Sequence, residues 1–174
     1  FTDDHISWHP NGNYLYFISD RNNWLETGII NKPENHTTYQ TDIYRLEIES
    51  GLIERLTDSV YNEMYPCVSS DGHMLAYISD KSGINNIYIK RVEDSDAQAI
   101  TNIITGITQL SWNGDNSQLI FTGFYNKGYD IYTLDNPIQL MEDSINIPPA
   151  GWILKFQNTE LLRNKDQQQR KTIS

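Results

Sequence analysis

Large apolar residues fall two apart in short runs along this chain, and polar turns separate the runs. Leu15 and Phe17, Leu75 and Tyr77, and Leu119 and Phe121 all show the spacing. A period of two puts both members of a pair on one face of a β-strand. Tyr65 to Thr101 shows the unit in full. Ser69-Ser70-Asp71-Gly72 is a turn, because Gly takes a positive φ at no steric cost. Met74 to Ile78 is an apolar strand. Asp80-Lys81-Ser82-Gly83 turns the chain again, and Asn86 to Lys90 forms a third strand. Glu93 to Asp96 is a polar reversal, and Gln98 to Thr101 closes a four-stranded unit.

The unit recurs with a fixed offset. Leu75, Tyr77 and Ile87-Tyr88 map 44 residues on to Leu119, Phe121 and Ile131-Tyr132. Ile87-Tyr88 and Ile100-Thr101 map 44 residues back to Ile43-Tyr44 and Leu56-Thr57. The first half of the earliest unit lies 60 residues back, so that Trp8, Gly12 and Asp20 match Val68, Gly72 and Asp80. The difference is a 16-residue insertion between Asp20 and Asp42. Four strands repeating every 40–45 residues or so are the signature of propeller blades. The chain therefore reads as all-β, a β-propeller fragment of three four-stranded antiparallel blades. The expected blades are 5–58, 63–103 and 107–142, with an inserted loop at 21–41 and an irregular polar tail or linker at 143–174. Ile138-Gln139-Leu140 is expected to form the outermost strand of blade three, beyond Asn136-Pro137.

These residues resemble a family. Trp8-His9-Pro10-Asn11-Gly12, Ser79-Asp80-Lys81-Ser82-Gly83, Asp42-Ile43-Tyr44 and Leu56-Thr57 follow the W-S-P-D-G, S-D-x-S-G, D-I-Y and L-T pattern of TolB-like, WD-repeat-like propellers. The blade motif is carried by Trp8, Gly12, Asp42, Tyr44, Asp71, Gly72, Asp80, Tyr88, Trp112, Asp130 and Tyr132. It covers roughly residues 5–142. It departs in the turn of blade three, where Asn113-Gly114-Asp115-Asn116 stands for S-P-D-G. The resemblance implies a bacterial envelope or periplasmic setting and a non-enzymatic scaffold gripping protein partners. It also allows an alternative, since similar propellers gate larger peptidases or hydrolases whose catalytic domain would lie outside this chain.

Composition narrows the partners. The formal charge is −10, and residues 1–142 hold 20 acidic against 8 basic side chains. An acidic body argues against nucleic acid, which needs a positive surface. No apolar run nears the ~20 residues of a membrane helix, so no membrane insertion is expected in this segment. One cysteine, Cys67, can form no internal disulfide. Three blades fall short of the roughly four to eight that close a ring, so the remaining blades would come from a parent chain or by self-association.

Candidate chemistry is sparse. Neither a G-x-S-x-G elbow nor an H-E-x-x-H motif occurs. His5 and His9, four apart on a strand, stand ~13 Å apart, too far for one ion. Asp3-Asp4 and Glu93-Asp94-Ser95-Asp96 read as solvated turns rather than calcium loops. Ser19-Asp20 and Ser79-Asp80 recur as turn caps. Tyr44, Tyr88 and Tyr132 read as inter-blade packing. No cofactor or metal is expected. The insertion is the place where a rigid scaffold would carry binding, and Trp24, Ile29, Ile30 and Tyr39 are its candidate partner-binding residues.

Overall fold

A computed structural model describes residues 1–21, 40–143, 146–151 and 153. Three antiparallel sheets follow one another along the chain. Blade one is β1 (Asp3–Trp8), β2 (Tyr14–Ser19), β3 (Asp42–Glu47) and β4 (Ile53–Arg55). Blade two is β5 (Glu63–Val68), β6 (Met74–Ser79), β7 (Asn86–Arg91) and β8 (Gln98–Ala99). Blade three is β9 (Ile107–Trp112), β10 (Gln118–Tyr125) and β11 (Gly128–Asp135). Each sheet pairs its strands in chain order, the meander that a propeller blade requires.

The blades stack as the period-two pattern dictates. Leu75 and Tyr77 face back onto Tyr16, Ile18 and Ile43 of blade one. The alternate residues Ala76 and Ile78 face forward with Ile87 and Ile89, and meet Leu119 and Phe121 of blade three. Both seams are closed with apolar side chains, each worth about 1.5–3 kcal/mol when fully buried. Stacked aromatic pairs lie across strands two and three at one position of every blade. They are Phe17 on Tyr44, Tyr77 on Tyr88 and Phe121 on Tyr132, with ring centroids 5.7 to 6.0 Å apart.

Each innermost strand also carries a bulge at one repeated position. His5, Tyr65 and Gln109 all have positive φ, at 51°, 51° and 55°, and the pairing register slips beside each of them. His5 stacks on Tyr65 at 3.8 Å, so the first two bulges lock together across the seam.

The turn of blade three keeps the geometry of the other two. Asn116 holds φ +63° where Gly12 and Gly72 hold +75° and +80°. Its N–H donates to the Asn113 carbonyl, as Gly72 N–H donates to Ser69. Asn enters the left-handed region more readily than other side-chain-bearing residues. The same Asn116 accepts from both the N–H and the hydroxyl of Ser70, tying the turns of blades two and three together.

The expected fourth strand of blade three is not there. Pro137–Asp143 is a short helix, α1. Pro suits the first helical position, because its fixed φ fits and its missing N–H costs nothing there. Asn136, at φ +51°, turns the chain away from the sheet, and its carbonyl accepts the first helical bond from Leu140. Ile138, Leu140 and Met141 then pack against the seam of blades two and three. Beyond the helix, Ala150 N–H donates to the Ser82 carbonyl, and Ile153 lies over Gly83. This part of the 143–174 segment folds back onto blade two. Among the described residues no helix is long and apolar enough to cross a membrane.

On the leading side of blade one Trp8 is 60% exposed, while Phe17 and Tyr44 on the same face are buried beneath the Arg21 guanidinium. One sheet face has no neighbour among the described residues. Ile120, Phe124, Tyr129 and Ile131 are exposed on the trailing side of blade three, Ile131 at 77%. Their register partners place them on one face: Phe124 opposes Tyr129, and Thr122 opposes Ile131. The equivalent faces of blades one and two are the buried seams.

Candidate functional site

By strand order, the connections β2–β3, β4–β5, β6–β7 and β10–β11 share one rim. The inserted loop belongs to this rim. Trp24, Ile29, Ile30 and Tyr39 lie outside the described residues, but both roots of the insertion are placed. At one root, Arg21 is buried, and its guanidinium donates to both oxygens of Asp3 at 2.7 Å. It also lies over the rings of Phe17 and Tyr44. At the other root, Gln40 donates to the Ser59 carbonyl, and Thr41 Oγ1 donates to the Glu63 carbonyl at 2.8 Å.

Beside this second root a cleft of about 550 Å³ opens between blades one and two. Arg55, Asp58, Ser59 and Tyr61 form one wall. Tyr77, Tyr88 and Lys81 form the other, and Asp96 of the β7–β8 connection also lines it. Glu63 sits at its floor, 3% exposed. The carboxylate of Glu63 accepts from the hydroxyls of Ser59 (2.6 Å) and Thr57 (3.3 Å). Behind it lies Asp42, 1% exposed, which accepts from Arg55 at 2.6 Å and from the Ser59 N–H at 3.3 Å. Ser59 joins the two carboxyl groups, its N–H donating to Asp42 and its hydroxyl to Glu63. Burial pushes the Glu63 carboxyl up to about 7, with the Asp42 charge adding to it. Burial also raises Asp42, against the pull of Arg55.

The blade-motif residues take framework positions around this rim. Asp80 accepts from the backbone and side-chain amides of Asn62, and Asp20 accepts from Thr2 N–H, so each closes its own blade. Tyr44 and Tyr88 sit in the aromatic stacks, and Tyr88 also lines the cleft. Gly72 lies against the His9 ring, whose Nε2 is 3.3 Å from the Gly72 carbonyl oxygen. Trp112 donates to the Cys67 carbonyl across the second seam, while its counterpart Trp8 points to solvent. Asp130 and Tyr132 lie on exposed β11.

Glu63 and the aromatic tip of β10–β11 had no sequence signal of their own in the repeat pattern. Position 63 reads as a strand start. The tip shows only when β10 and β11 are seen to run two residues longer than their counterparts, which carries Phe124, Tyr125 and Tyr129 out to solvent. Among the described residues no group of three or more His, Cys, Asp or Glu could hold a metal ion.

Known proteins with similar sequence or shape fall into two groups. Among curated proteins, a Bacillus subtilis (strain 168) protein, the uncharacterized peptidase YuxL, is 28% identical over 95 residues. That match takes in 54% of this chain but only 14% of the relative's length. Among solved structures, a TolB protein from Agrobacterium tumefaciens superposes with a TM-score of 0.64 at 19% identity, over 79% of this chain and 47% of that one. The Pyrococcus horikoshii acylaminoacyl peptidase superposes with a TM-score of 0.53 at 16% identity, over 77% of this chain and 23% of that one. At such identities the structural likeness speaks for the propeller fold alone. The sequence itself goes further, because residues 29–138 match the family described as the dipeptidyl peptidase IV (DPP IV) N-terminal region. With blades two and three and the second half of blade one inside that match, this chain belongs to the dipeptidyl peptidase IV N-terminal region family.

Proposed function

We propose that this chain is part of the propeller of a larger peptidase or related hydrolase, where it shapes substrate access, and that the chemistry resides outside it. The observation that carries this reading is the family match over residues 29–138. The partial likeness to a protein named as a peptidase supports it. The cleft between blades one and two and the insertion rooted beside it are features that could shape access. The exposed outer face of blade three adds a surface on which further blades would stack.

The test is to express the protein encoded by the complete reading frame beside this 174-residue chain. Both are assayed on chromogenic peptide and N-acyl-peptide amides. Hydrolysis by the complete protein and none by the chain alone is the expected result. A complete protein that lacks both turnover and a nucleophile or metal motif outside residues 1–174 would overturn it. That outcome would favour the second reading, a non-enzymatic TolB-like scaffold of the bacterial envelope that binds a protein partner. The aromatic tip of β10–β11 favours this second reading, since exposed Tyr and Phe suit protein contact.

A further inference from the structure

The two seams of this chain solve one structural problem in two ways. In the second seam, Asn86 occupies the position that Asp42 holds in the first, and Ile107 occupies the position of Glu63. The surrounding bonds are the same. Ile43 N–H donates to Thr57 Oγ1, and Ile87 N–H donates to Thr101 Oγ1, both at 2.8 Å. Ser59 N–H donates to Asp42, and Ile103 N–H donates to Asn86. The second seam achieves this geometry with no ionisable group. The first buries two carboxyl groups against one guanidinium, which also serves the exposed Asp58. The fold therefore does not require the pair.

Like charges that approach in a buried site cannot both ionise cheaply, and a shared proton resolves the conflict. We propose that Asp42 and Glu63 form a proton-operated joint, which holds one proton between two carboxyl groups and loosens the seam of blades one and two when that proton leaves. The joint sits where opening would be felt. Glu63 floors the rim cleft, and its backbone N–H and C=O both bond Thr41 at the root of the insertion. Loss of the proton would therefore act on the cleft and on the seat of the insertion together.

Other titratable groups face the joint. Arg55 comes from β4, Asp58 and Tyr61 from the β4–β5 connection, and Tyr77 and Tyr88 from β6 and β7. Lys81 and Asp96 come from the next two turns, and Tyr44 from β3 lies within electrostatic reach of Asp42 and Arg55. Of these, Arg55 is the cation bound directly to the pair, through Asp42.

The direction of the effect follows from linkage. Glu63 ionises near 4.5 when unfolded and at about 7 when folded. Between those values the folded chain holds more protons, so stability falls as pH rises through the window and levels off above it. His5 works in the opposite direction, because burial lowers its pKa. Comparison with Glu63→Gln keeps His5 constant and isolates the joint.

The experiment uses the 174-residue chain with 13C-carboxyl-labelled Glu and Asp, followed by NMR from pH 4 to 9. Urea denaturation is run in parallel on the chain and on Glu63→Gln. One carboxyl titrating near 7, absent from Glu63→Gln, is expected. The unfolding constant of the chain should rise relative to that of Glu63→Gln by up to about tenfold per pH unit between roughly 5 and 7. Asp42→Asn removes the neighbour's charge and should lower the Glu63 midpoint. That measurement also decides the matter if Glu63→Gln does not fold. A Glu63 midpoint below 5 would overturn the joint, as would a midpoint unmoved by Asp42→Asn or a pH-independent ratio of unfolding constants.

Discussion

At the scale of single residues, the turns on the rim opposite the insertion carry the tightest constraint. A Cβ on Gly72 would stand 2.4 Å from Nε2 of His9, and the φ of +80° already disfavours a side chain. Gly72→Ala should lower stability by about 1–3 kcal/mol, read as a drop in the urea midpoint. Adding His9→Ala should restore the steric share and leave the backbone share. A midpoint unchanged by Gly72→Ala would show that the two turns do not meet as described. The contrast with Asn116 shows what a sequence does and does not disclose at this scale. Asp71-Gly72 announces its turn. Asp115-Asn116 looks like a departure and forms the same turn, because a short polar side chain tolerates the left-handed region. Glu63 was illegible for another reason. Its character comes from Asp42, 21 residues away, and from burial that only the assembled seam creates.

At the scale of elements, the repeat offset placed landmark residues inside nine of the eleven strands, while Leu56-Thr57 and Ile100-Thr101 fall just beyond β4 and β8. β1 was placed within two residues of its start. The offset also located the aromatic stacks, because side chains at equal positions meet equal neighbours. It failed at 137–143. Period and apolar spacing at Ile138 and Leu140 suit a strand or a helix, and Pro137 after a left-handed Asn136 decides for the helix. The bulges at His5, Tyr65 and Gln109 were invisible, since three unrelated side chains share one backbone shape. Asn86 receives Thr101 Oγ1 and Ile103 N–H and donates to the Ser82 hydroxyl. Asn86→Ala strands those buried groups, and a loss of about 2–4 kcal/mol is expected by urea denaturation. Asn86→Asp should be milder at pH 5 than at pH 8, because the second seam offers no guanidinium to balance the charge. Equal losses at both pH values would count against this account of the seam.

At the scale of the whole molecule, the trailing face of blade three stands open among the described residues. Contiguous exposed apolar side chains on a flat sheet face drive association. The chain should therefore self-associate with rising concentration in sedimentation velocity, and Ile131→Arg should shift it towards monomer without altering its urea midpoint by more than about 0.5 kcal/mol. A monomer at all concentrations, unaffected by the substitution, would show that this face is covered. Residues 22–39 and the greater part of residues 143–174 lie outside the described residues.

The replacement of a fourth strand by α1 has one more consequence. Among the described residues β11 pairs only with β10, so every second amide of its eight residues points away from the sheet. In β7, flanked on both sides, the amides are bonded along both edges where β8 reaches. Deuterium uptake along β11 should thus resemble a comb, fast and slow by turns, while β7 stays uniformly dark for far longer. The teeth of that comb are free donors and acceptors at the rim of the last blade, in the register that an extended peptide would need to lie alongside.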